Sequence, residues 1–386
     1  MEPREWKRLM LVAAAEGPTA IDEASGAFHL LRHRDIEAIL NEPRLRGVAL
    51  SFFDHMGIAD GPLREWYGGL MFTNDGSPHD RLRRLVSKAF TPRAVEQLRP
   101  TAAALVAERL QPIRAAGGGD LVAVLADVPM HVMCALVGVP AADVPGFIAW
   151  VNALSLVFGF MDPAQIAAAT KAISELLAYA RDLLERRSRN PAADLMTSLI
   201  RAEHDGDRLS REETVAMVAN LLVGGHDTTA SQIGCSLLTV LSQPGALAEL
   251  QSDPALLHAL VGETIRFEPS ITAAVRTVVA PIELCGVEHV PGEVVICNFL
   301  TANRDPAVWH DADSFIARRF AEPEAPRLLS FGGGPHYCLG AALARLTLEE
   351  TVRGVVELAP TLTAVADDIE WVQVLGRSPA RLPVAL

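Results

Sequence analysis

Apolar residues recur with a helical period along most of this chain. The periodic stretch runs, with breaks at prolines and glycines, from His79 to about Phe267. A short strand is predicted at 28–31. After Glu268 apolar and polar residues alternate in short runs separated by turn residues, which predicts short strands. A long helix is predicted to begin near Leu339. The pattern therefore predicts a mainly α-helical protein with small β-sheets.

The sequence contains no obvious linker. It has no Pro/Gly/Ser-rich boundary, internal repeat or low-complexity segment. We therefore expect a single domain over residues 1–386, with a helix-rich part at 79–267 and a part at 268–386 that holds the strands and a cysteine loop. Half of the residues are hydrophobic, which is enough for a large buried core.

Charge and hydropathy exclude several classes of partner. The net charge of −13 argues against nucleic-acid binding, which needs a basic surface. The apolar run near the N-terminus is too short for a signal peptide or a membrane span. The longest apolar stretch, 215–241, carries His226 and Asp227 at its centre, which favours a buried helix. We expect a cytoplasmic monomer that binds neither nucleic acids nor membranes.

One cysteine stands apart from the other four. The odd number, the wide spacing and the absence of a CxxC pair exclude a disulfide framework and a zinc ribbon. Cys134, Cys235, Cys285 and Cys297 lie in apolar runs and are expected to be inert core residues. Cys338 instead lies in the glycine-rich stretch "FGGGPHYCLG", residues 331–340.

The glycines around Cys338 indicate a close approach between backbone and another group. Gly332, Gly333 and Gly334 could lie flat against a planar molecule, and Gly340 could bring amides near the sulfur. The helix that follows directs its positive end at Cys338, which favours a thiolate.

Three other interpretations explain less of this loop. A nucleophilic cysteine with His336 as base leaves the glycines unexplained, and a phosphate loop lacks both the Lys-Ser/Thr pair and a preceding hydrophobic strand. A glycine turn with an incidental cysteine explains nothing about the sulfur. An axial thiolate to a flat metallocycle, haem, uses every feature.

The loop resembles the haem-binding loop of the cytochrome P450 family. Its pattern, F-x-x-G-x-H-x-C-x-G, is formed by Phe331, Gly334, His336, Cys338 and Gly340. Further motifs in the family's order cover most of the chain from about residue 70. The resemblance implies the P450 fold, with haem b (iron protoporphyrin IX) buried between a long central helix and the helix after the cysteine loop. It implies that Cys338 is the fifth iron ligand and that Phe331, Gly332, His336 and Gly340 surround the haem.

The sequence "GETIR" contains a second pattern, E-x-x-R. Glu263 and Arg266 are three residues apart and share one helix face. Alone, the pattern would indicate an exposed ion pair. Beside the cysteine loop it resembles the family's structural pair under the haem, which Arg319 completes at the matching position. We interpret these three residues as structural.

The long central helix contains an unfavourable pair of glycines. Gly224 and Gly225 each cost roughly 1 kcal/mol relative to alanine in a helix interior. The Thr228 hydroxyl could bond back to the Gly224 carbonyl and open the helix locally. A tight helix crossing with a solvent-facing Asp227 is the alternative, which the flanking apolar residues disfavour. The segment resembles the family's oxygen-binding groove, with Asp227 and Thr228 as the acid–alcohol pair that delivers protons.

A basic helix begins near His79. His79 and Arg83 are one turn apart, and the resemblance implies that they bind the haem propionates together with Arg276 and His336. The alternative is an exposed basic helix, and we expect three of its cations to be exposed in either case: Arg81, Arg84 and Lys88. Those three would form the docking face for an acidic ferredoxin.

The resemblance implies a monooxygenase that inserts one oxygen atom from O₂ into a hydrophobic molecule, for example by hydroxylation of a terpenoid, steroid, fatty acid or natural-product scaffold. The sequence has neither a GxGxxG motif nor a cysteine cluster, so electrons are expected from a separate ferredoxin and its reductase. Three alternatives are a peroxide-driven thiolate-haem oxygenase, a non-catalytic haem-binding protein and a haem-free hydrolase that uses Cys338.

Family position also suggests the substrate pocket, although not the substrate. The expected lining residues are mostly apolar or small: Asn220, Val223, Gly224, Ile271, Thr272 and Ala273. Asn220 is the polar exception. Its amide either bonds within its own helix or anchors a carbonyl or hydroxyl group of the substrate.

Overall fold

The computed structural model describes residues 2–22, 26–47, 50, 53–54, 56–243, 245–358, 362–364, 369–373 and 375–386. Within these ranges the helices are α1 Pro3–Glu16, α2 His33–Ile39, α3 Pro62–Gly68, α4 Ser77–Ala89, α5 Pro92–Glu96, α6 Arg99–Ala116, α7 Leu121–Leu125, α8 Val128–Val137, α9 Val144–Ser155, α10 Pro163–Arg189, α11 Leu195–Arg201, α12 Arg211–Ser242, α13 Ala246–Ser252, α14 Leu257–Phe267, α15 Phe299–Ala302 and α16 Ala341–Leu358. The predicted mainly helical fold is confirmed.

The strands of the described residues are short. They are β1 Thr19–Ile21, β2 Phe28–Leu30, β3 Leu45–Arg46, β4 Gly118–Asp120, β5 Glu203–His204, β6 Asp207–Arg208, β7 Ala273–Val278, β8 Ile282–Leu284, β9 Val287–His289, β10 Val294–Asn298, β11 Thr363–Ala364, β12 Trp371–Gln373, β13 Arg377–Pro379 and β14 Pro383–Ala385. The small sheets predicted at 28–31 and after Glu268 are therefore present.

The chain divides into two compact units. The first consists of Met1–Arg46, Thr101–Ala126 and Thr228–Leu386, and the second of Gly47–Pro100 and Asp127–Asp227. The helix α12 belongs to both, since the boundary falls between Asp227 and Thr228.

A five-stranded sheet organises part of the first unit, in the order β1-β2-β10-β7-β3. The strands β2 and β10 pair in parallel, with Val295 opposite Phe28, and the other pairs are antiparallel. Apolar residues of this sheet pack with Ile36 of α2 and with Leu40, which directly follows α2, in one buried cluster. The sheet thereby fixes α2, against which the cysteine loop lies.

The second unit is built around the long helix α10. Asp162 and Gln165 form a capping box at its start, which satisfies free backbone amides. The ring of Tyr179 on α10 packs edge-on against Phe147 of α9, with centroids 4.9 Å apart. The helices α3, α9 and α11 all pack along α10.

One described segment, 141–158, is long and apolar enough to cross a membrane by length and composition. The sequence pattern does not predict such a segment. It consists of α9 flanked by two 3₁₀ turns, and its Phe147 and Val151 are buried. Core helices of soluble proteins share this length and composition, so these two properties alone do not make 141–158 a membrane span.

The structure corrects one expectation about the cysteines. Cys134, Cys235 and Cys297 are buried, as expected, but Cys285 is exposed. It lies in the turn between β8 and β9 with a positive φ of 49°. The apolar residues around Cys285 belong to the strands of this hairpin, and the turn itself faces solvent.

Candidate active site

The glycines of the cysteine loop are needed where the loop contacts α2. Gly332 and Gly334 have φ values of +68° and +60°, in the left-handed region that favours glycine. A Cβ atom on Gly334 would collide with the Leu40 carbonyl oxygen and lie 2.6 Å from Asn41 Oδ1, and one on Gly333 would collide with the Leu40 side chain. Loop turns and packing against the end of α2 therefore account for these glycines, a requirement that the sequence analysis did not anticipate.

Cys338 lies at the open end of this loop. Its side chain is exposed, and its backbone N–H donates to the Phe331 carbonyl at 2.9 Å. A Cβ atom on Gly340 would lie 3.9 Å from the cysteine sulfur. The Gly340 carbonyl accepts from the Ala344 N–H at 2.9 Å, so Gly340 stands at the first turn of α16. The sulfur thus lies beside a helix N-terminus with no side chain between them.

Phe331 at the start of the loop contacts a cation. The Arg345 guanidinium of α16 stands 5.1 Å from the centre of its ring. His336 ends a 3₁₀ turn, Gly334–His336, two residues before the cysteine. The loop is therefore held both by α2 and by α16.

The E-x-x-R residues form a buried ionic network. Glu263 and Arg266 are both fully buried, and two N–O distances of 2.7 Å join them. Arg319 Nε lies 3.1 Å from Glu263 Oε2. The Ile316 N–H also donates to Glu263, and Arg266 Nη1 donates to the carbonyls of Asn303 and Ala312. The network is well satisfied, as a buried charge requires.

A second buried ionic cluster was missed in the sequence. Lys7 of α1 and Arg377 of β13 both bind the carboxylate of Glu268, and the Arg377 guanidinium stacks 3.6 Å from the centre of the Trp371 ring. Burial raises the pKa of Glu268, but Lys7 and Arg377 together hold it below its ordinary value. No spacing pattern relates residues so distant in the chain, so no sequence signal could have found them.

The remaining site residues of the first unit lie on α12 and around β7. The Thr228 carbonyl accepts from the Ser270 hydroxyl at 3.2 Å, which ties α12 to the segment before β7. Ile271 and Ala273 are partly buried, Thr272 is buried, and Arg276 is partly buried on β7. The structure thus places these predicted residues on two neighbouring elements.

In the second unit, α12 carries the predicted glycine pair. The helix is α-helical without interruption from Arg211 to Ser242, so the predicted opening is not visible as a break. A Cβ atom on Gly225 would collide with the Met133 side chain of α8, whereas one on Gly224 would meet nothing within 4 Å. Gly225 thus marks a close approach of α12 to α8, at which a larger residue would displace the flexible end of the Met133 side chain. The flanking turns of this 32-residue helix maintain it through the two glycines.

Asn220 lies one turn before Gly224 on the same helix. Both polar atoms of its amide are buried, and neither has a hydrogen-bond partner among the described residues. The expectation that this amide bonds within its own helix is therefore not met. Val223 beside it is buried and apolar.

The helix α4 carries the residues predicted for haem propionates. His79 is buried, with Nδ1 3.1 Å from Asp80 Oδ1, and Arg83 is partly buried one turn further on. Burial distinguishes these two residues from an exposed basic face.

Arg81 is only partly exposed, so the expectation that it is an exposed cation is not met. Its guanidinium binds Asp207 at 2.7 Å and Glu213 at 2.6 Å, and both carboxylates raise its pKa. Lys88 is exposed but donates to the Glu203 carbonyl at 2.9 Å. Arg84 is exposed as predicted.

Comparison with known proteins agrees with this geometry. The family model of cytochrome P450 matches residues 49–355. This chain belongs to the cytochrome P450 family. It is a P450 monooxygenase, and the family uses haem, O₂, a hydrophobic substrate and a redox partner.

Several bacterial P450s are similar over most of their length. Cytochrome P450 107B1 of Saccharopolyspora erythraea is 35% identical, over 93% of this chain and 89% of its own. Nocardicin C N-oxygenase of Nocardia uniformis subsp. tsuyamanensis is 36% identical, over 92% and 88%. Mycinamicin IV hydroxylase/epoxidase of Micromonospora griseorubida is 34% identical, over 93% and 89%.

Solved P450 structures share the fold. The crystal structure of CalO2 superposes with a TM-score of 0.91 at 30% identity, covering 99% of this chain and 96% of CalO2. P450BioI, crystallised with a fatty acid-ligated acyl carrier protein, gives a TM-score of 0.88 at 25% identity over 99% of both chains. The P450 fold predicted from the cysteine loop is confirmed.

Proposed function

We propose that this P450 holds haem b through the Cys338 thiolate and inserts one oxygen atom from O₂ into an apolar natural product that carries a carbonyl or hydroxyl group. The observation that carries the substrate part is the buried amide of Asn220, which has no hydrogen-bond partner among the described residues.

The surroundings of Cys338 fit an iron ligand. Its exposed sulfur stands beside the N-terminal end of α16, which stabilises a negative charge. Burial raises the pKa of the thiol of Cys134 to about 12 and contributes to a rise to about 11 at Cys297. Neither of these two thiols is a thiolate at neutral pH, so they are poor candidates for the ligand.

The proposed propionate donors are His79, Arg83, Arg276 and His336. Two of them, His79 and Arg83, project from successive turns of one helix, and arginine matches carboxylates through its fork of N–H donors. His79 is buried and the other three are partly buried, which supports this assignment over a fully exposed basic face.

Protons for the reaction are proposed to pass through Asp227 and Thr228. When bound, haem supplies the activation of O₂, and the thiolate ligand favours cleavage of its O–O bond. The Thr228 hydroxyl would orient a hydrogen bond towards the reacting oxygen, and Asp227 would renew the proton it donates. The adjacency of these residues on α12 supports the assignment.

Electrons are proposed to arrive from a separate ferredoxin and its reductase. The docking face is now limited to the exposed Arg84 and Lys88 of α4, since Arg81 is neutralised by Asp207 and Glu213. Complementary charge would mainly raise the rate of association with an acidic ferredoxin.

The unpaired amide of Asn220 supports an oxygenated substrate. A buried amide without a partner costs about 1–3 kcal/mol, which a substrate carbonyl or hydroxyl would recover. The names of two relatives, mycinamicin IV hydroxylase/epoxidase and 6-deoxyerythronolide B hydroxylase, support a macrolide-like or other polyketide scaffold. A steroid or terpenoid ketone carries the same combination of groups.

The test uses a panel of oxygenated apolar compounds and their deoxygenated analogues, with binding followed by the change in the haem absorption spectrum. For the best ligand, Asn220→Leu is expected to raise Kd on the order of tenfold, because it removes one buried hydrogen bond, and to lower Kd for the deoxygenated analogue. Val223→Ala is the matched control, since it alters packing one turn along α12 and should affect both compounds equally. An equal response of both compounds to Asn220→Leu would contradict the proposal.

A further inference from the structure

A buried histidine stands next to the proposed proton donor. His226 is 5% exposed, and its Nε2 lies 3.7 Å from Asp227 Oδ1. Its other nitrogen, Nδ1, is buried and has no hydrogen-bond partner among the described residues. The mechanism proposed above gives this imidazole no role.

The helix α8 passes directly against this point of α12. The Met133 side chain of α8 fills the space where a side chain at residue 225 would stand. One half-turn earlier on α8 is His131, which is partly exposed, and Asp127 stands at the N-cap of the same helix. His131 Nδ1 lies 3.0 Å from the Asp127 carbonyl oxygen and 3.6 Å from its carboxylate.

The neighbours fix the preferred tautomers. Because a carbonyl oxygen only accepts, His131 Nδ1 carries the proton and its Nε2 is the basic nitrogen. At His226, a proton on Nε2 faces the Asp227 carboxylate, which leaves the buried Nδ1 as an acceptor with no donor among the described residues. Such a nitrogen can accept a proton.

Four titratable groups act on one another here. Burial lowers the pKa of His226, Asp227 and Asp127 raise it, and His131 lowers it further. The net effect is a pKa below the ordinary value, so the imidazole is neutral at neutral pH. A neutral imidazole can accept a proton on one nitrogen and release one from the other.

We propose that His226 is a positioning residue that relays protons from the surface, at His131 and Asp127, to Asp227. A proton from solvent enters at His131 and Asp127 and reaches His226 Nδ1 through an intervening water, since Nδ1 has no hydrogen-bond partner among the described residues. The imidazolium then releases its Nε2 proton to the Asp227 carboxylate. The ring returns to its starting tautomer by rotation or by exchange with water. One proton moves inward and no other reactant is consumed.

This inference rests on the proposed role of Asp227, but its first test does not depend on turnover. Histidine side chains are ¹⁵N-labelled in the reduced, carbon monoxide-bound holoenzyme, and His226 is assigned by the signal lost in His226→Gln. The pKa of His226 is expected to fall in Asp227→Asn and in Asp127→Asn, and to rise in His131→Gln, because each change removes one of the charges named above.

The second test measures coupling, the product formed per NADH consumed, between pH 6 and 8.5 in a reconstituted system. His226→Gln keeps a polar side chain of similar size but cannot titrate. It is expected to lower coupling on the order of tenfold, less than the loss of a general acid because water partly substitutes. His131→Gln should lower coupling more weakly. The matched control is His258→Gln, an exposed histidine bound to Glu349, which should leave coupling unchanged.

The outcomes separate the relay from the proposed function. Unchanged coupling in His226→Gln, with reduced coupling in Asp227→Asn, would overturn the relay alone. Unchanged coupling in both variants would overturn the proton role of Asp227 itself. If the pKa of His226 is the same in Asp227→Asn as in the wild type, the relay is overturned, whatever the results of the turnover experiments. His131→Gln lies at the partly exposed start of α8, so its result stands even if His226→Gln unfolds.

Discussion

At the scale of single residues, Glu263 is the fully buried carboxylate at the centre of the E-x-x-R network. It accepts from both Arg266 and Arg319 and from a backbone amide, all in the buried interior. Glu263→Gln would leave two buried guanidinium groups without their counter-charge. Breaking a buried pair in this way costs about 3–5 kcal/mol, and we expect a loss of that size in the free energy of unfolding, measured by urea denaturation.

The control for this prediction is Glu249→Gln. Glu249 binds Arg318 at 2.6 Å, but both side chains are exposed, and such a pair contributes about 0–1 kcal/mol. Equal losses in the two variants would show that the network of Glu263 is not stabilising in the way its geometry indicates.

The sequence identifies single residues most readily where they belong to a short motif. Cys338, the E-x-x-R pair and the Asp227–Thr228 pair belong to short motifs, in which neighbours in the chain are neighbours in space. The Lys7–Glu268–Arg377 cluster could not be predicted, because it joins three distant segments through side chains with no characteristic spacing. Likewise, the Asn220 amide has no hydrogen-bond partner among the described residues, and this depends on the elements packed around α12 and not on the sequence of α12 itself.

At the scale of elements, the cations of α4 differ in role. Arg81 forms ion pairs within the protein, whereas Arg84 and Lys88 are exposed. The ion pairs of Arg81 with Asp207 and Glu213 join α4 to the β5–β6 hairpin and to the start of α12. Arg81→Ala is therefore expected to lower Tm by about 2 °C, since this ionic network is partly exposed and screened by solvent. Differential scanning fluorimetry would measure the change.

The comparison variant is Arg84→Glu, three residues further along the same helix. Arg84 is exposed, so its reversal should leave Tm nearly unchanged while it slows electron transfer from ferredoxin and weakens the salt dependence of the rate. A wild-type rate that does not depend on salt would rule out this docking face.

Elements also show where local rules were overridden. The glycine pair predicted a local opening of the helix, and α12 nevertheless runs from Arg211 to Ser242 without a break. The basic pattern of α4 predicted an exposed Arg81, but the carboxylates that pair with Arg81 lie more than a hundred residues away in the chain.

At the scale of the whole molecule, the fold class followed from periodicity, and the P450 fold followed from the resemblance of one loop and a few ordered motifs. The sheet topology did not. The parallel pairing of β2 with β10 joins residues 28–30 to residues 295–297, a contact that no local pattern encodes. Membership of the P450 family implies haem and monooxygenase chemistry. Which residue of this chain binds the haem iron remains to be tested.

The most direct test of the account is the absorption spectrum of the reduced, carbon monoxide-bound protein in the Cys338→Ser variant. Cys285→Ser is the matched control, because Cys285 is the other exposed cysteine among the described residues, and burial contributes to a pKa of about 11 for its thiol. We predict that the wild type and Cys285→Ser show the red-shifted Soret band of a thiolate-ligated haem and that Cys338→Ser loses it. Persistence of that band in Cys338→Ser would contradict the assignment of Cys338 as the iron ligand.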